Sequence, residues 1–283
     1  MALSFRFGTV GSPMGTPKPG GSVTAIKYLR SIELDALELG WVQSVRVSEA
    51  TCAEIRATSL AENVAVSVHA PYYINLNATE EEWPKSRKRL MDASRLGCLA
   101  GATDIIFHPG SYFGNQPGDV LKIAIPRLKE CMDELRSDGI GCTLRPETMG
   151  KSAMLGSFED TIEMAAAIEG VNPCFDFAHL HARPGDGSIN SEEEWVERLN
   201  IIKNRLGQQY LESMHIHLSG IEYGPKGEKF HLPLLESDFD LSGLFKALAK
   251  VGAKGRILCE SPIMEEDALR MKNAWIELTG EFS

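Results

Sequence analysis

The seven histidines of this 283-residue chain all lie in short motifs, and most of these motifs begin with an apolar run typical of a buried strand. The motifs are VSVHAPYYINL, DIIFHPG, CFDFAHLHAR, SMHIHLSG and EKFHLPL, which hold His69, His108, His179, His181, His215, His217 and His231. The histidines come where the chain leaves the sheet. Imidazole is the commonest nitrogen ligand for zinc and related metals. The pattern therefore predicts a metal-centred active site.

Carboxylates occupy similar positions after other apolar runs, in CTLRPET, PCFDFAH and CESP. We predict as metal ligands His69, His108, Glu147, Asp176, His179, His215, His231 and Glu260. This set exceeds the four ligands of one tetrahedral zinc and favours two or three metals that share a carboxylate. Two metals about 3.5 to 4 Å apart can clamp the attacking and leaving oxygens of a phosphoryl displacement.

A strict alternation of strands and helices must position these ligands. The predicted strands are FRFGTV, ALELGW, VAVSVHAP, DIIFHPG, CTLRPET, PCFDFAH, SMHIHLSG and RILCESP. The predicted helices lie near 22–31, 49–60, 83–100, 119–138, 157–168, 192–206, 241–251 and 265–278. Short apolar strands without alternation suit a parallel sheet that is buried on both faces.

Eight such units predict a single α/β domain over residues 1–283, a (β/α)8 TIM barrel with its active site at the C-terminal ends of the strands. An open doubly wound sheet is the alternative, but no GxGxxG follows a strand. The segments 181–191 and 219–240 are predicted as long loops at the active-site face.

The net charge and the composition of the chain limit its location and its partners. A formal net charge of −10 argues against nucleic acid, although three bound divalent ions would add roughly +6. Arg145, Lys151 and Arg183 follow strands and are candidates for phosphate contacts. No apolar stretch is long enough for a membrane span, no export signal is evident, and the six cysteines form no CxxC pair. We expect a cytoplasmic protein with no membrane partner and no organic cofactor.

The strand-end motifs resemble those of a known family. HAPYYINL, FHPG, PETMGKSAMLG, DFAH, HIHLSG and CESP are similar to motifs of endonuclease IV, zinc-dependent enzymes that cut DNA at abasic sites on a (β/α)8 barrel. The similarity runs from about the second strand to the eighth. It implies a monomer that acts on double-stranded DNA with abasic sites. Zinc is the implied metal, and Mn²⁺ is an alternative.

The resemblance also implies roles for individual residues. One zinc would be held by His69, His108 and Glu147, a second by Glu147, Asp176, His215 and Glu260, and a third by His179 and His231. The attack would fall on the phosphorus 5′ to the abasic sugar, with Glu147 and Glu260 orienting the nucleophile. Tyr72 matches a position that fills the space of the flipped nucleotide, as an aromatic wedge can. A rim aromatic that packs on the barrel top is the equal alternative.

The chain departs from this family at the third metal site. Lys229 stands where the family has an aspartate, two residues before His231. Glu228 and His217 are candidate substitutes, and a weak or empty third site is the alternative. For His181 and His217 themselves, supporting or structural roles are favoured over ligation.

Two other functions compete with the nuclease. A sugar isomerase or epimerase on the same barrel holds one divalent metal with a Glu, Asp, His, Glu set, which Glu147, Asp176, His215 and Glu260 supply. The remaining strand-end histidines distinguish the two enzymes, because a one-metal sugar enzyme has less need of them. A non-catalytic binding protein is the least favoured, since five strands carry ligands. The fold alone decides nothing, because this barrel hosts many chemistries.

Overall fold

The structure is a computed structural model that describes residues 3–281. In chain order, its strands are β1 (Phe5–Val10), β2 (Ala36–Gly40), β3 (Ala65–His69), β4 (Asp104–Phe107), β5 (Gly110–Ser111), β6 (Thr143–Pro146), β7 (Met154–Leu155), β8 (Cys174–Asp176), β9 (Met214–Leu218), β10 (Gly220–Gly224), β11 (Gly227–Leu232) and β12 (Gly255–Cys259). Its helices are α1 (Ser22–Ser31), α2 (Glu49–Glu62), α3 (Trp83–Leu99), α4 (Pro117–Ser137), α5 (Phe158–Ala167), α6 (Phe177–Ala182), α7 (Glu192–Leu206), α8 (Gln208–Leu211), α9 (Leu241–Lys250) and α10 (Glu265–Thr279).

Eight parallel strands form one sheet in the order β6, β4, β3, β2, β1, β12, β9, β8. Parallel bridges from Leu144 to Val171 and from Glu147 to Cys174 bring the two outer strands together, so the sheet curls into a barrel. Helices lie between the strands along the chain. The predicted TIM barrel is therefore confirmed. That one domain spans residues 1–283 stays a prediction.

Local sequence signals explain where the helices begin. α5 and α7 both start with a capping box, in which Ser157 and Ser191 accept a backbone hydrogen bond and an acidic side chain three residues later bonds back. The apolar faces of the helices pack on the outside of the barrel strands, where Trp195 and Trp275 are among the largest fully buried side chains. This packing holds the strand ends in fixed positions.

Two segments differ from their predicted structure. The sixth predicted strand, PCFDFAH, ends at Asp176, because the Asp176 side chain accepts a hydrogen bond from the backbone N–H of His179 and caps α6. His179 therefore lies on a short helix. The segment 219–240, predicted as a loop, contains the antiparallel hairpin β10–β11 and a 3-10 helix, Leu234–Glu236, so His231 lies on a strand.

Among the residues that the structure describes, no helix combines the length and the apolar character that a membrane crossing requires.

Candidate metal centre

The predicted ligands meet at the C-terminal ends of the barrel strands. His69 and Asp176 are the last residues of β3 and β8, and His108, Glu147 and Glu260 directly follow β4, β6 and β12. Three groups of potential ligand atoms lie close together there, and they are His69–His108–Glu147, Glu147–Asp176–His217–Glu260 and Asp176–His179–His231. Seven of the eight predicted ligands belong to these groups, and His215 does not.

The first group is built around one oxygen of Glu147. Nε2 of His69 lies 3.2 Å from Glu147 Oε2, and Nε2 of His108 lies 3.4 Å from the same atom. Nδ1 of His69 lies 2.9 Å from the carbonyl oxygen of Ala70. A carbonyl cannot donate, so Nδ1 carries a proton. Nε2 can donate a second proton to Glu147, and loss of that proton would free the Nε2 lone pair for a metal ion.

The second group contains buried polar atoms without hydrogen-bond partners. Oε1 of Glu147, Oδ2 of Asp176 and Nδ1 of His217 accept or donate no hydrogen bond within the described chain. Nδ1 of His217 lies 3.3 Å from Glu260 Oε1 and 3.5 Å from Glu147 Oε1. Unpaired buried polar atoms are costly. A cation among these oxygens and this nitrogen would satisfy them, so the residues present fit a metal ion.

His217, and not His215, occupies the place that the sequence analysis gave to His215. Both side chains face the barrel interior, since residues two apart on a strand share a face. The pairing of β8 with β9 sets Asp176 opposite His217 and Cys174 opposite His215. His215 thus lies one layer deeper, where its Nε2 is 2.8 Å from Glu38 Oε2.

A fourth buried trio, Cys174, His215 and His217, lies beneath the second group. Burial raises the pKa of the Cys174 thiol far above its usual range. The thiolate is the form that binds metals, so this trio is a poor metal site. Burial also lowers the pKa of His215 to about 4, which keeps its imidazole neutral.

In the third group, two imidazoles face each other. Nε2 of His179 lies 3.1 Å from Nε2 of His231. Their other ring nitrogens are engaged, since Nδ1 of His179 is 2.9 Å from the Thr148 carbonyl oxygen and Nδ1 of His231 is 2.9 Å from Ser219 Oγ. With Nδ1 of His179 donating to the carbonyl, the neutral ring has its lone pair on Nε2. Two nitrogens arranged this way fit a metal ion between them.

The hairpin beside the third group contains a β-bulge. Glu222 pairs with Phe230 in the regular part of the hairpin, but the next residue, Tyr223, pairs with Glu228. Lys229 is therefore the extra residue of the bulge. It lies on the outer side, where its Nζ is 3.0 Å from Glu222 Oε1. The lysine that departs from the family pattern thus pairs with a carboxylate away from the metal centre.

The bulge brings Glu228 to the metal centre. Side chains alternate along a regular strand, so residues three apart would point to opposite faces. The extra residue puts Glu228 on the face of His231, and Glu228 Oε2 lies 3.5 Å from His179 Nε2. Gly227 permits this approach, because a Cβ there would lie 2.1 Å from the carbonyl oxygen of Gly150, which accepts a hydrogen bond from Glu228 N.

The electrostatics of the centre couple its acids to its imidazoles. Burial raises the pKa of Asp176 to about 6 against the opposing effect of His179. Burial also disfavours the charged form of Glu147, but His217 and His108 hold its pKa well below the usual range. Burial lowers the pKa of His179, and the carboxylates of Asp176 and Glu147 outweigh it and raise the pKa to about 10. Without a metal ion, protons on imidazoles neutralise these carboxylates.

Tyr72 lies at the mouth of the centre. Its ring stacks on His108 with centroids 4.8 Å apart and meets the His69 ring edge-on at 5.2 Å. The side chain is still 47% exposed. The ring therefore packs on the first ligand group and also presents a free face to the cavity. This geometry is compatible with a wedge that enters DNA and with an aromatic that packs on the top of the barrel.

Three basic residues that follow strands have different surroundings. Arg145 is buried at the opposite end of the barrel beside Asp104, so it cannot reach a substrate at the metal centre. Arg183 donates to the backbone carbonyls of Met149, Lys151 and Met154 and fixes the loop after β6. Lys151, exposed on that loop, lines the cavity above the ligands.

His181 is fully buried away from the three groups. Its Nδ1 lies 3.0 Å from the Ser188 carbonyl oxygen and its Nε2 lies 3.2 Å from Asp238 Oδ1. These contacts tie the loop after α6 to Asp238.

A family model described as xylose isomerase-like TIM barrel matches residues 26–278. The chain belongs to this family. An uncharacterized protein of Methanocaldococcus jannaschii is 35% identical over 273 residues, which cover 96% of this chain and 97% of that protein. A probable endonuclease 4 of Streptomyces avermitilis is 28% identical over 225 residues, covering 72% of this chain and 70% of that protein.

This chain is similar in fold to solved structures of two different kinds. An endonuclease IV from Thermus thermophilus superposes with a TM-score of 0.71 at 21% identity, covering 97% of this chain and all of that one. A D-tagatose 3-epimerase-like protein also gives a TM-score of 0.71, at 18% identity and 98% coverage of both chains. The fold of this xylose isomerase-like barrel therefore does not distinguish a nuclease from an epimerase.

Proposed function

We propose that the chain is a metal-dependent apurinic/apyrimidinic endonuclease that hydrolyses the phosphodiester bond 5′ to abasic sites in double-stranded DNA. The main support for this proposal is that the second ligand group has a further ligand group on each side of it. A sugar epimerase with one metal needs only Glu147, Asp176, His217 and Glu260. Here His69 and His108 flank one side of Glu147, and His179 and His231 face each other on the other side.

The donor atoms divide into three sets that share carboxylates. We assign the first zinc to His69, His108 and Glu147, the second to Glu147, Asp176, His217 and Glu260, and the third to His179 and His231. Mn²⁺ is an alternative metal. Bound at these positions, the ions would supply a hydroxide near neutral pH and stabilise charge on the attacking and leaving oxygens of a phosphoryl displacement.

Glu228 completes the third set in this proposal. It replaces the aspartate that the family has at the position of Lys229, and the β-bulge gives it the same face as His231. Its carboxylate adds a negative charge and an oxygen donor beside two imidazoles, a combination that suits zinc. The lysine does not oppose the cation, since Glu222 pairs with it on the outer face.

The protein residues also bind and orient the DNA. The cavity above the metal centre has a volume of about 560 Å³ and is lined in part by Tyr72, Lys151 and Phe230. Lys151 carries the positive charge that a phosphate requires. The exposed face of the Tyr72 ring can stack where the extruded sugar leaves a gap between bases. Glu147 and Glu260 orient the nucleophile through the oxygens they direct into the centre.

The test is cleavage of a labelled duplex with one tetrahydrofuran abasic analogue. Zinc-loaded wild type is compared with EDTA-stripped protein and with Glu147→Gln. Glu222→Gln is the matched control, because that carboxylate pairs only with Lys229 among the described residues. We expect incision 5′ to the lesion by the loaded wild type and by Glu222→Gln, and none by the stripped protein or Glu147→Gln.

Absence of incision from folded, zinc-bound or manganese-bound wild type would overturn the nuclease. The central group and the likeness to the epimerase-like structure would then favour a sugar isomerase or epimerase. A panel of keto- and aldo-sugars incubated with the same metal-loaded protein distinguishes that enzyme from a binding protein.

A further inference from the structure

A buried carboxylate lies beneath the metal centre, and the proposed reaction does not use it. Glu38, on β2, is fully buried. Its Oε2 accepts hydrogen bonds from Ser67 Oγ and His215 Nε2, both at 2.8 Å. Its Oε1 lies 3.0 Å from Nε2 of His217, close enough for an ion pair, and neither atom has a hydrogen-bond partner among the described residues. One oxygen of this carboxylate is therefore left for His217.

The ring of His217 stands between Glu38 and the second ligand group. Its Nε2 faces Glu38, and its Nδ1 faces the carboxylates of Glu147 and Glu260 at 3.5 and 3.3 Å. A neutral imidazole has one N–H and one lone pair. Both nitrogens face carboxylates, but a metal ion bound among Glu147, Asp176 and Glu260 would take the lone pair of Nδ1, so the proton belongs on Nε2, beside Glu38. The lone pair then lies on Nδ1, which is the side of the metal.

We propose that Glu38 is a positioning residue that fixes the tautomer and the ring orientation of His217 for the second metal ion. The contact crosses the barrel interior, because β2 and β9 are not neighbours in the sheet. A metal-ligating histidine held by a carboxylate on its other nitrogen is a more basic ligand in a defined orientation. The inference rests on the proposed metal cluster, but it does not depend on DNA as the substrate.

The test is the zinc affinity of Glu38→Gln, measured by competition with a chromophoric chelator. We expect the ion of the second group to lose about 10- to 100-fold in affinity, the usual effect of removing such a partner. Long-range ¹H–¹⁵N correlation spectra of the zinc-loaded protein report the tautomer directly. Wild type should show His217 protonated on Nε2, and the variant should show that signature lost or mixed.

Two further variants separate positioning from simple stability. Ser67→Ala keeps the carboxylate and removes one of its hydrogen bonds, so zinc affinity should fall by only a small part of the Glu38→Gln effect. If Glu38→Gln does not fold, Glu38→Asp keeps the charge but withdraws the oxygen from His217, and the same loss and the same spectral change are expected.

Folded Glu38→Gln, or Glu38→Asp in its place, with wild-type zinc affinity and an unchanged His217 tautomer would overturn the inference. A lower melting temperature alone, without either change, would assign Glu38 a structural role and would also overturn it. Wild type that binds zinc but cuts no DNA would sink only the nuclease, since neither measurement here uses DNA.

Discussion

The barrel interior holds buried charges at both ends of its strands, and the two ends neutralise them differently. At the N-terminal end, Asp104 begins β4 and pairs with Arg145 and, at 3.0 Å, with Arg256. Arg145 also donates to the carbonyl oxygens of Pro173 and Ser213 at 3.0 and 2.9 Å. Every charge in this layer thus has a partner from the protein itself.

At the C-terminal end, Glu147, Asp176 and Glu260 form ion pairs only with histidines among the described residues, and with no arginine or lysine. Glu147 and Asp176 each leave one buried oxygen without a hydrogen bond within residues 3–281. Their counter-charges are imidazoles, which can exchange a proton for a metal ion, whereas a guanidinium cannot. One set of buried charges is therefore neutralised within the protein, whereas the other could accept a cation from outside.

Glu260→Gln should have the largest effect, and the effect should fall on activity and metal binding and not on the stability of the fold. The substitution removes one ligand of the second ion and a group that orients the nucleophile. Losing several kcal/mol of charge stabilisation in the transition state corresponds to a fall of about 10³-fold in the rate of incision. Single-turnover cleavage of the abasic duplex measures it. Wild-type rates from this variant would contradict a functional role for the C-terminal set.

Asp104→Asn should show the reverse pattern. Burial raises the pKa of Asp104, but the charges of Arg145 and Arg256 outweigh burial and hold this pKa well below 3.8. The ion pairs of Asp104 therefore stabilise the fold fully above about pH 3.8, and this stabilisation is lost as the pH falls through the lowered pKa. Leaving the buried Arg145 and the partly buried Arg256 without their anion costs about 3 to 5 kcal/mol. Denaturant unfolding at pH 7 measures this loss.

The zinc stoichiometry and the incision rate of folded Asp104→Asn should equal those of wild type, because the metal ligands lie at the other strand ends. A variant that kept its stability but lost zinc would reverse the roles assigned to the two layers.

Glu228→Gln and Lys229→Ala form a matched pair with a smaller expected difference. Glu228 approaches His179, whereas Lys229 pairs with Glu222 on the outside of the hairpin. We expect Glu228→Gln to weaken the third ion by at least about 10- to 100-fold, the range seen when a supporting partner of a metal site is lost. Lys229→Ala should leave it unchanged. Metal titration followed by anomalous scattering at the zinc edge identifies which ion is lost.

The reverse result, in which Lys229→Ala strengthens the third ion and Glu228→Gln does nothing, would mean that the bulge does not deliver a ligand. The family pattern of an acid two residues before the histidine would then have no replacement in this chain.

Much of this arrangement could be predicted from the sequence, because His69, His108, Glu147, Asp176 and Glu260 end or directly follow apolar runs that form barrel strands. The choice between His215 and His217 could not. The two share a face of β9, and only the pairing with β8 sets His217 level with Asp176. The local sequence does not determine the register of two paired strands, because register depends on contacts between residues that are distant in the chain.

The sequence names Glu228 and His217 as candidate substitutes for Lys229 at the third site, but it does not decide between them. Counting residues from His231 points to Lys229, and the count fails because of one extra residue in the hairpin. That bulge depends on the close approach of Gly227 to the backbone of Gly150, which are distant in the chain. The hairpin itself lay within a segment predicted as a loop, because its strands are polar and give no buried-strand signal.

The smallest predicted effect is the release of protons when zinc binds. His179 has a pKa of about 10 in the folded protein, so its imidazole is protonated at pH 7 and must lose a proton to become a ligand. Because that pKa exceeds the ordinary value of 6.5, protonated His179 stabilises the metal-free fold most fully below pH 6.5. This contribution is lost as the pH rises through about 10.

Calorimetry of zinc binding in buffers of different ionisation enthalpy should therefore detect at least one released proton at pH 7. The affinity of the third ion should rise about tenfold per pH unit from pH 7 to pH 9 for each proton displaced. At the N-terminal layer no such linkage exists, since Arg145 and Arg256 do not exchange their protons. Zinc binding without proton release at pH 7 would mean that the imidazoles are already neutral. The carboxylates at the C-terminal end would then have some other counter-charge, and the contrast between the two layers would fail.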